Sequence, residues 1–215
     1  MSLGIGEKMK YDILVNKKNP LMKDYVPKNL VFTKSKIKPF VSQESDHLLV
    51  EEVLVQFNKL KEEALLSGYA IEISSGYRSY EYQEEVLKHY LDIHGERVYD
   101  FVALPGTSEH QTGYALDFLP YRKKRRSEMT EYEINQYDLL EKEIYQWVEK
   151  NAHLYGFIIR YPISEDNDLE KPHHITGYKY EPWHLRYVGI DIAKYIFKNK
   201  LTLEEYKKLQ EINIQ

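Results

Sequence analysis

The chain contains no cysteine. Disulfides, thiolate metal sites and cysteine nucleophiles are therefore excluded, and any bound metal must be held by histidine and carboxylate. It has no apolar run approaching the ~18 residues of a membrane-spanning helix, and its start lacks the apolar stretch of a secretory leader. Excess positive charge is missing too: the formal net charge is −4, which gives no reason to expect a nucleic-acid partner. The exception is the basic run Arg122 to Arg126, read as a solvated loop. What remains is a 215-residue chain, 42% hydrophobic and 30% charged, long enough to bury a sizeable core. Tyrosine is abundant at 20 residues and suits the rim of a core, with the ring buried and the hydroxyl wet.

Residues 1–10 read as an N-terminal tail or an expression scar, and 11–215 as one domain. From 11 to 46 the prolines at 20, 27 and 39 interrupt scattered apolar residues, predicting an extended wrapping segment. His47 to Ser67 carries apolar residues at helical spacing and stops at Gly68. Tyr69, Ile71 and Ile73 alternate as in a strand. Tyr80 to Leu91 reads as a second helix, and Ile134 to Val148 as a third that stops near Gly156. FIIRYP predicts a buried strand ended by Pro162, 164–172 a polar loop, and the segment from His174 strand-like residues broken at Pro182. Short helices follow, the last opened by a capping box at Thr202 and Glu205. Helices interspersed with short antiparallel strands make the fold class α+β.

The stretch SEHQTGYALDF, Ser108 to Phe118, places His110 and Asp117 seven residues apart. On a straight strand an odd separation sends them to opposite faces, and on a helix they stand roughly 10 Å apart along the axis. A bend at Gln111-Thr112-Gly113 lets them converge, because glycine tolerates backbone angles other residues avoid. Beyond it, Tyr114, Leu116 and Phe118 can face a core while Ala115 and Asp117 face the other way. With His184 they form a candidate zinc set: two nitrogens and one oxygen, with a fourth position left to water, as in catalytic sites. Glu181 stands three residues before His184, and Pro182 forbids ordinary helix between them, so an irregular turn can bring it beside the metal's water.

Three segments, SGYRSYEYQ, PGTSEHQTGYALD and ITGYKYEPWHLRYVG, together closely resemble the VanY family of D-alanyl-D-alanine carboxypeptidases, including the related L,D-carboxypeptidases and VanXY-type bifunctional enzymes. LVNKKNPL, FIIRYP and LTLEEY extend the likeness from about Leu14 to Tyr206. The resemblance implies a hedgehog/DD-peptidase-like fold, a small and mainly antiparallel central sheet flanked by helices. It implies zinc held by His110, Asp117 and His184, Glu181 as catalytic base, and hydrolysis of the C-terminal D-alanine from peptidoglycan stem peptides or precursors. A D-alanyl-D-alanine dipeptidase or cell-wall endopeptidase is the enzymatic alternative, and an idle wall-binding module the non-enzymatic one.

A carboxypeptidase must also recognise a free carboxylate. Arg78 is the candidate, by two parallel hydrogen bonds to the substrate's end or by stabilising the tetrahedral oxyanion. Gln83 and Tyr77 are candidate pocket residues, and Ser108 either orients substrate or a ligand or caps a turn. Trp183 is expected to pack beside the site, and His173 and His174 to be solvent-exposed. Family carboxypeptidases usually act outside the membrane while VanXY-type enzymes are cytoplasmic, so the cell envelope is the expected location and the cytoplasm its alternative.

Overall fold

The computed structural model describes residues 11–35, 47–122, 124, 126–163, 168–169 and 171–212. The expected tail at 1–10, residues 36–46, Lys123 and Arg125 of the basic run, and most of the acidic loop at 164–170 lie outside the described residues.

Strands β1 (Leu30–Phe32) and β2 (Leu48–Val50) pair antiparallel as a small two-stranded sheet. The chain passes directly into helix α1 (Glu51–Leu66), then strand β3 (Ile71–Ser75) and helix α2 (Tyr80–His94). Strand β4 (Ala115–Pro120) follows, then the long helix α3 (Glu131–Asn151) and strands β5 (Phe157–Ile159) and β6 (His184–Tyr187). Helices α4 (Ile190–Asn199) and α5 (Leu203–Ile212) complete the order. The main sheet has the strand order β3-β4-β6-β5, antiparallel throughout. The expected α+β class with a small antiparallel sheet is what the chain forms.

Alternation along β4 and β6 divides the sheet into two faces. Leu116, Phe118, Leu185 and Tyr187 turn to one side, where α1 supplies Val53, Phe57, Leu60 and Ala64 and α3 supplies Ile144 and Val148. Phe57, Leu60, Leu116 and Phe118 are almost completely buried, each stabilising the fold by about 1.5–3 kcal/mol. The intervening residues Asp117, His184 and Arg186 point to the opposite face. A second apolar cluster, built from Ile158, Val188, Ala193, Ile196, Leu203 and Tyr206, seats α4 and α5.

Several boundaries differ from the sequence expectation. Leu48–Val50 joins a strand, not the first turn of the helix, because Val50, Leu49 and Leu48 pair with Leu30, Val31 and Phe32. Two acidic residues, Glu51 and Glu52, then occupy the first turn of α1 and complement its dipole. Helix α3 begins at Glu131 because Thr130 and Glu133 form a capping box. The capping box expected at Thr202 and Glu205 is present, with the Glu205 amide donating to the Thr202 hydroxyl at 3.2 Å. Basic residues after β4 lie against α3: Lys124 meets Glu133 at 2.6 Å, Arg126 grips both Asp138 oxygens, and Arg122 sits over the Tyr137 ring.

Candidate active site

The bend that the SEHQTGYALDF stretch requires is a single turn of tight helix, Glu109–Thr112, closed by Gly113 at φ 69°. The Thr112 hydroxyl donates to the Glu109 carbonyl at 2.6 Å and accepts from the Tyr114 amide at 2.9 Å, fixing the corner. The chain then enters β4, where Asp117 is paired directly with His184 on β6. Direct antiparallel partners present their side chains on one face roughly 5 Å apart. A register irregularity between Ile73 and Ser75 pairs Ser75 with Asp117 from the other side. His184 is preceded by a turn in which its amide donates to the Glu181 carbonyl at 3.2 Å, and the Glu181 amide donates to Tyr161 at 3.1 Å.

The result is a convergence of His110, Asp117 and His184, whose ligand atoms all lie within 4.8 Å of one another. His110 Nε2 stands 3.4 Å from one oxygen of Asp117, and His184 Nδ1 stands 3.1 Å from the other. The Gly76 carbonyl, which can only accept, lies 2.6 Å from His110 Nδ1. That nitrogen therefore carries the hydrogen, and Nε2 turns a lone pair into the site. His110 Nε2 and Asp117 Oδ1 are both buried and lack hydrogen-bond partners among the described residues. Unsatisfied buried acceptors of this kind are costly unless a cation meets them. Two nitrogens and a carboxylate oxygen at this spacing fit zinc with an open position for water.

Around this set stand Glu181, with Oε2 3.7 Å from His184 Nδ1, and Arg78, with Nη2 3.6 Å from Asp117. Burial pushes the Glu181 carboxyl up to about 7, with Asp117 acting in the same direction against His184 and Arg78. Burial and the neighbouring Arg78 guanidinium hold His110 down to about 4, so its imidazole is neutral. For His184 burial opposes protonation, but Asp117 and Glu109 outweigh it and push the pKa up to about 9. Asp117 stays well below the usual carboxylate range despite its burial, because both imidazoles face it.

These side chains line a single cleft of about 660 Å³, which also takes in Ser108, Gln83 and Trp183. Gln83 is buried and both ends of its amide are engaged: its oxygen accepts from Arg78 at 3.0 Å and its nitrogen donates to the Ala103 carbonyl at 2.8 Å. Tyr77 lies outside the cleft lining, its ring buried and its amide bonded to the Leu48 carbonyl at 2.7 Å. Trp183 lines the cleft beside His184 and is 38% exposed. His174 is exposed, but His173 is buried; its Nδ1 accepts from the Ile175 amide at 3.2 Å and its ring stacks on His174.

Sequence reasoning passed over a buried charge layer beneath His184. Glu109, Arg160 and Arg186 are all essentially inaccessible. One Glu109 oxygen accepts from Arg160 Nε at 2.8 Å and from Arg186 Nη1 at 2.7 Å. Burial alone would raise the Glu109 pKa, but the two guanidinium groups hold it far below the usual range. Arg160 also forks onto Glu204 of α5, and Glu204 accepts from Asn16 at 3.0 Å. Arg186 donates to the carbonyls of Tyr11 and Ile13. The available signal was an arginine inside each of two otherwise apolar segments, FIIRYP and HLRYV.

Residues 46–190 match the family model described as VanY: D-alanyl-D-alanine carboxypeptidase. The chain belongs to the VanY family. Among curated proteins it is 38% identical over 201 residues to the putative carboxypeptidase YodJ of Bacillus subtilis (strain 168), covering 93% of this chain and 68% of that one. It is 36% identical over 196 residues to VanXYC of Enterococcus gallinarum, a bifunctional D-Ala-D-Ala dipeptidase and carboxypeptidase, covering 90% and 91% of the two chains. Among solved structures, the LdcB LD-carboxypeptidase superposes with a TM-score of 0.69 at 37% identity, over 91% of this chain and 84% of that one. A mutant of the vancomycin-resistance D,D-pentapeptidase VanY in complex with Zn(II) superposes with a TM-score of 0.66 at 30% identity, over 91% and 98%. The chain is thus a carboxypeptidase of VanY type carrying a histidine-aspartate-histidine cluster able to hold a metal ion. Among the described residues, no helix is long and apolar enough to cross a membrane.

Proposed function

We propose that this VanY-family member is a zinc-dependent carboxypeptidase that removes the C-terminal D-alanine from peptidoglycan stem peptides or their precursors. In this reading residues 11–215 form one zinc peptidase domain acting at the cell envelope. The observation that carries it is the meeting of His110, Asp117, His184, Glu181 and Arg78 in one cleft. His110 Nε2, Asp117 and His184 Nδ1 would hold the zinc, which when bound acidifies a water and polarises the scissile carbonyl.

Glu181 is the general base. Its carboxylate accepts the proton of the attacking water and returns it to the departing D-alanine amine. A carboxyl pushed up to about 7 is matched to that two-way transfer at neutral pH. Arg78, aimed by Gln83, presents its guanidinium toward the cleft for the substrate's terminal carboxylate. In that arrangement Gln83 acts through Arg78, and Ser108, which lines the cleft, offers a hydroxyl to the substrate. The cleft, about 660 Å³, accommodates the C-terminal end of a stem peptide.

Mass spectrometry of the products from pentapeptide, tetrapeptide and D-Ala-D-Ala, each with and without zinc, tests the proposal. Release of a single D-alanine from pentapeptide, from tetrapeptide or from both, abolished by chelator and restored by zinc, is expected. Glu181→Ala should keep its zinc and lose nearly all turnover, at least ~100-fold. Turnover indifferent to chelation, or intact in that variant, would remove the assignment.

A further inference from the structure

We propose that Glu109 is a positioning residue for the metal centre: it accepts the Nε2–H of His184 and thereby reserves Nδ1 for the cation, while Arg160 and Arg186 anchor its other oxygen. The inference rests on the reading of His110, Asp117 and His184 as metal ligands.

Glu109 is 0% exposed. Its Oε1 is fully engaged by Arg160 and Arg186, and its Oε2 has no hydrogen-bond partner among the described residues. That free oxygen faces His184 Nε2 at 3.8 Å, and His184 Nε2 is likewise buried and without a hydrogen bond. On the opposite edge of the ring, Nδ1 faces Asp117 at 3.1 Å and Glu181 at 3.7 Å. The gap is about 1 Å longer than a charge-assisted hydrogen bond and closes with a small turn of the Glu109 side chain.

A neutral imidazole has one protonated nitrogen and one lone pair, and the group facing one nitrogen decides the role of the other. A carboxylate can only accept. With Glu109 behind it, His184 keeps its hydrogen on Nε2, and the proton that leaves when a cation binds comes from Nδ1, freeing that lone pair. Neutralising the two arginines requires only Oε1, and Arg160 already has Glu204 as a second carboxylate. Charge balance alone therefore leaves the orientation of Oε2 toward the ring unexplained.

Glu109→Gln separates the two roles. The guanidinium groups only donate, so the amide oxygen must stay between them and the NH2 must face His184. That NH2 donates to Nε2, moves the ring hydrogen to Nδ1, and blocks the lone pair the metal needs. The expected result is a folded variant whose zinc affinity, measured by chelator competition, falls about 10- to 100-fold. Nitrogen-15 correlation spectra of the metal-free variant, recorded at a pH high enough for His184 to be neutral, should show its one remaining hydrogen on Nδ1. Glu204→Gln is the control: it loosens Arg160 without touching the ring, and should lower the melting temperature while leaving zinc affinity within about twofold.

Unchanged zinc affinity in Glu109→Gln, or an equal loss in Glu204→Gln, overturns the proposal. Should Glu109→Gln fail to fold, cadmium-113 coupling in the unmutated protein decides. It must appear at His184 Nδ1 and His110 Nε2, and coupling at His184 Nε2 overturns the proposal. A protein that binds no cadmium or zinc at all overturns the metal reading itself, a result distinct from either of these.

Discussion

Metal binding should displace one proton, and the site's electrostatics set how steeply affinity follows pH. His184 is the group that changes. Flanked by the Asp117 and Glu109 carboxylates, it holds a proton up to about pH 9. The other ligands are already in binding form near neutrality, since His110 titrates at about 4 and Asp117 lower still. Because the His184 pKa is raised, the competing proton is present at low pH and leaves as pH climbs toward 9. Metal affinity must therefore rise with pH, tenfold per unit while His184 is protonated. Glu181, at about 7, would add a second titration, so the measurement belongs in Glu181→Gln. Between about pH 5 and about pH 7 that variant should gain about 100-fold in zinc affinity, equivalent to about 2.7 kcal/mol. Competition against a chromophoric chelator, corrected for the chelator's own protonation, gives the slope. Calorimetry in buffers of different ionisation enthalpy counts the protons released. A flat profile, or two protons per cation, would refute the assignment of His184 as the sole titrating ligand.

Other outcomes follow from the same geometry. Arg78→Lys keeps the charge but loses the fork and the bond to Gln83, so kcat/KM for free-carboxylate peptides should fall about tenfold to a hundredfold. An equal fall on peptides with an amidated C-terminus would reject the carboxylate contact. Gly156 adopts φ +86°, and an added Cβ would meet the Tyr187 ring at 2.5 Å. Gly156→Ala should therefore cost about 2 kcal/mol in urea denaturation, and no loss would mean the ring moves freely. Arg160→Met removes one of the two cations on buried Glu109 and both guanidinium bonds to Glu204, and the urea midpoint should report a loss of about 3–5 kcal/mol. A loss under about 1 kcal/mol would show that water replaces the guanidinium.

The convergence of His110, Asp117 and His184 was legible because its geometry is local at each half. Gly113 announces the turn that brings His110 back toward Asp117, and Pro182 announces the irregular step between Glu181 and His184. Their meeting depends on the antiparallel pairing of β4 with β6, two segments far apart in the chain, and only the family resemblance reached across that distance. Leu48–Val50 was read as helix because its strand partner is supplied by β1, which local periodicity cannot see. The buried arginines were missed for a related reason. In a half-buried strand, alternation assigns a charged residue to the wet face, but every residue of β6 is buried, and so is Arg160, just past the end of β5. His173 is buried in a turn that folds back on it, its amide donating to the Tyr178 carbonyl and its carbonyl accepting from the Gly177 amide, contacts that loop composition does not encode.

The chain of contacts from Glu109 through Arg160 to Glu204 has a consequence for synthesis. A nascent polypeptide that has emerged only through β6 already carries both arginines, with one acidic partner between them. Until residue 204 clears the ribosome, Arg160 Nη1 and Nη2 lack the carboxylate they donate to and stay hydrated. The sheet can therefore assemble well before its underside dries, and a half-sealed intermediate of that kind is the form that chaperones and proteases would encounter.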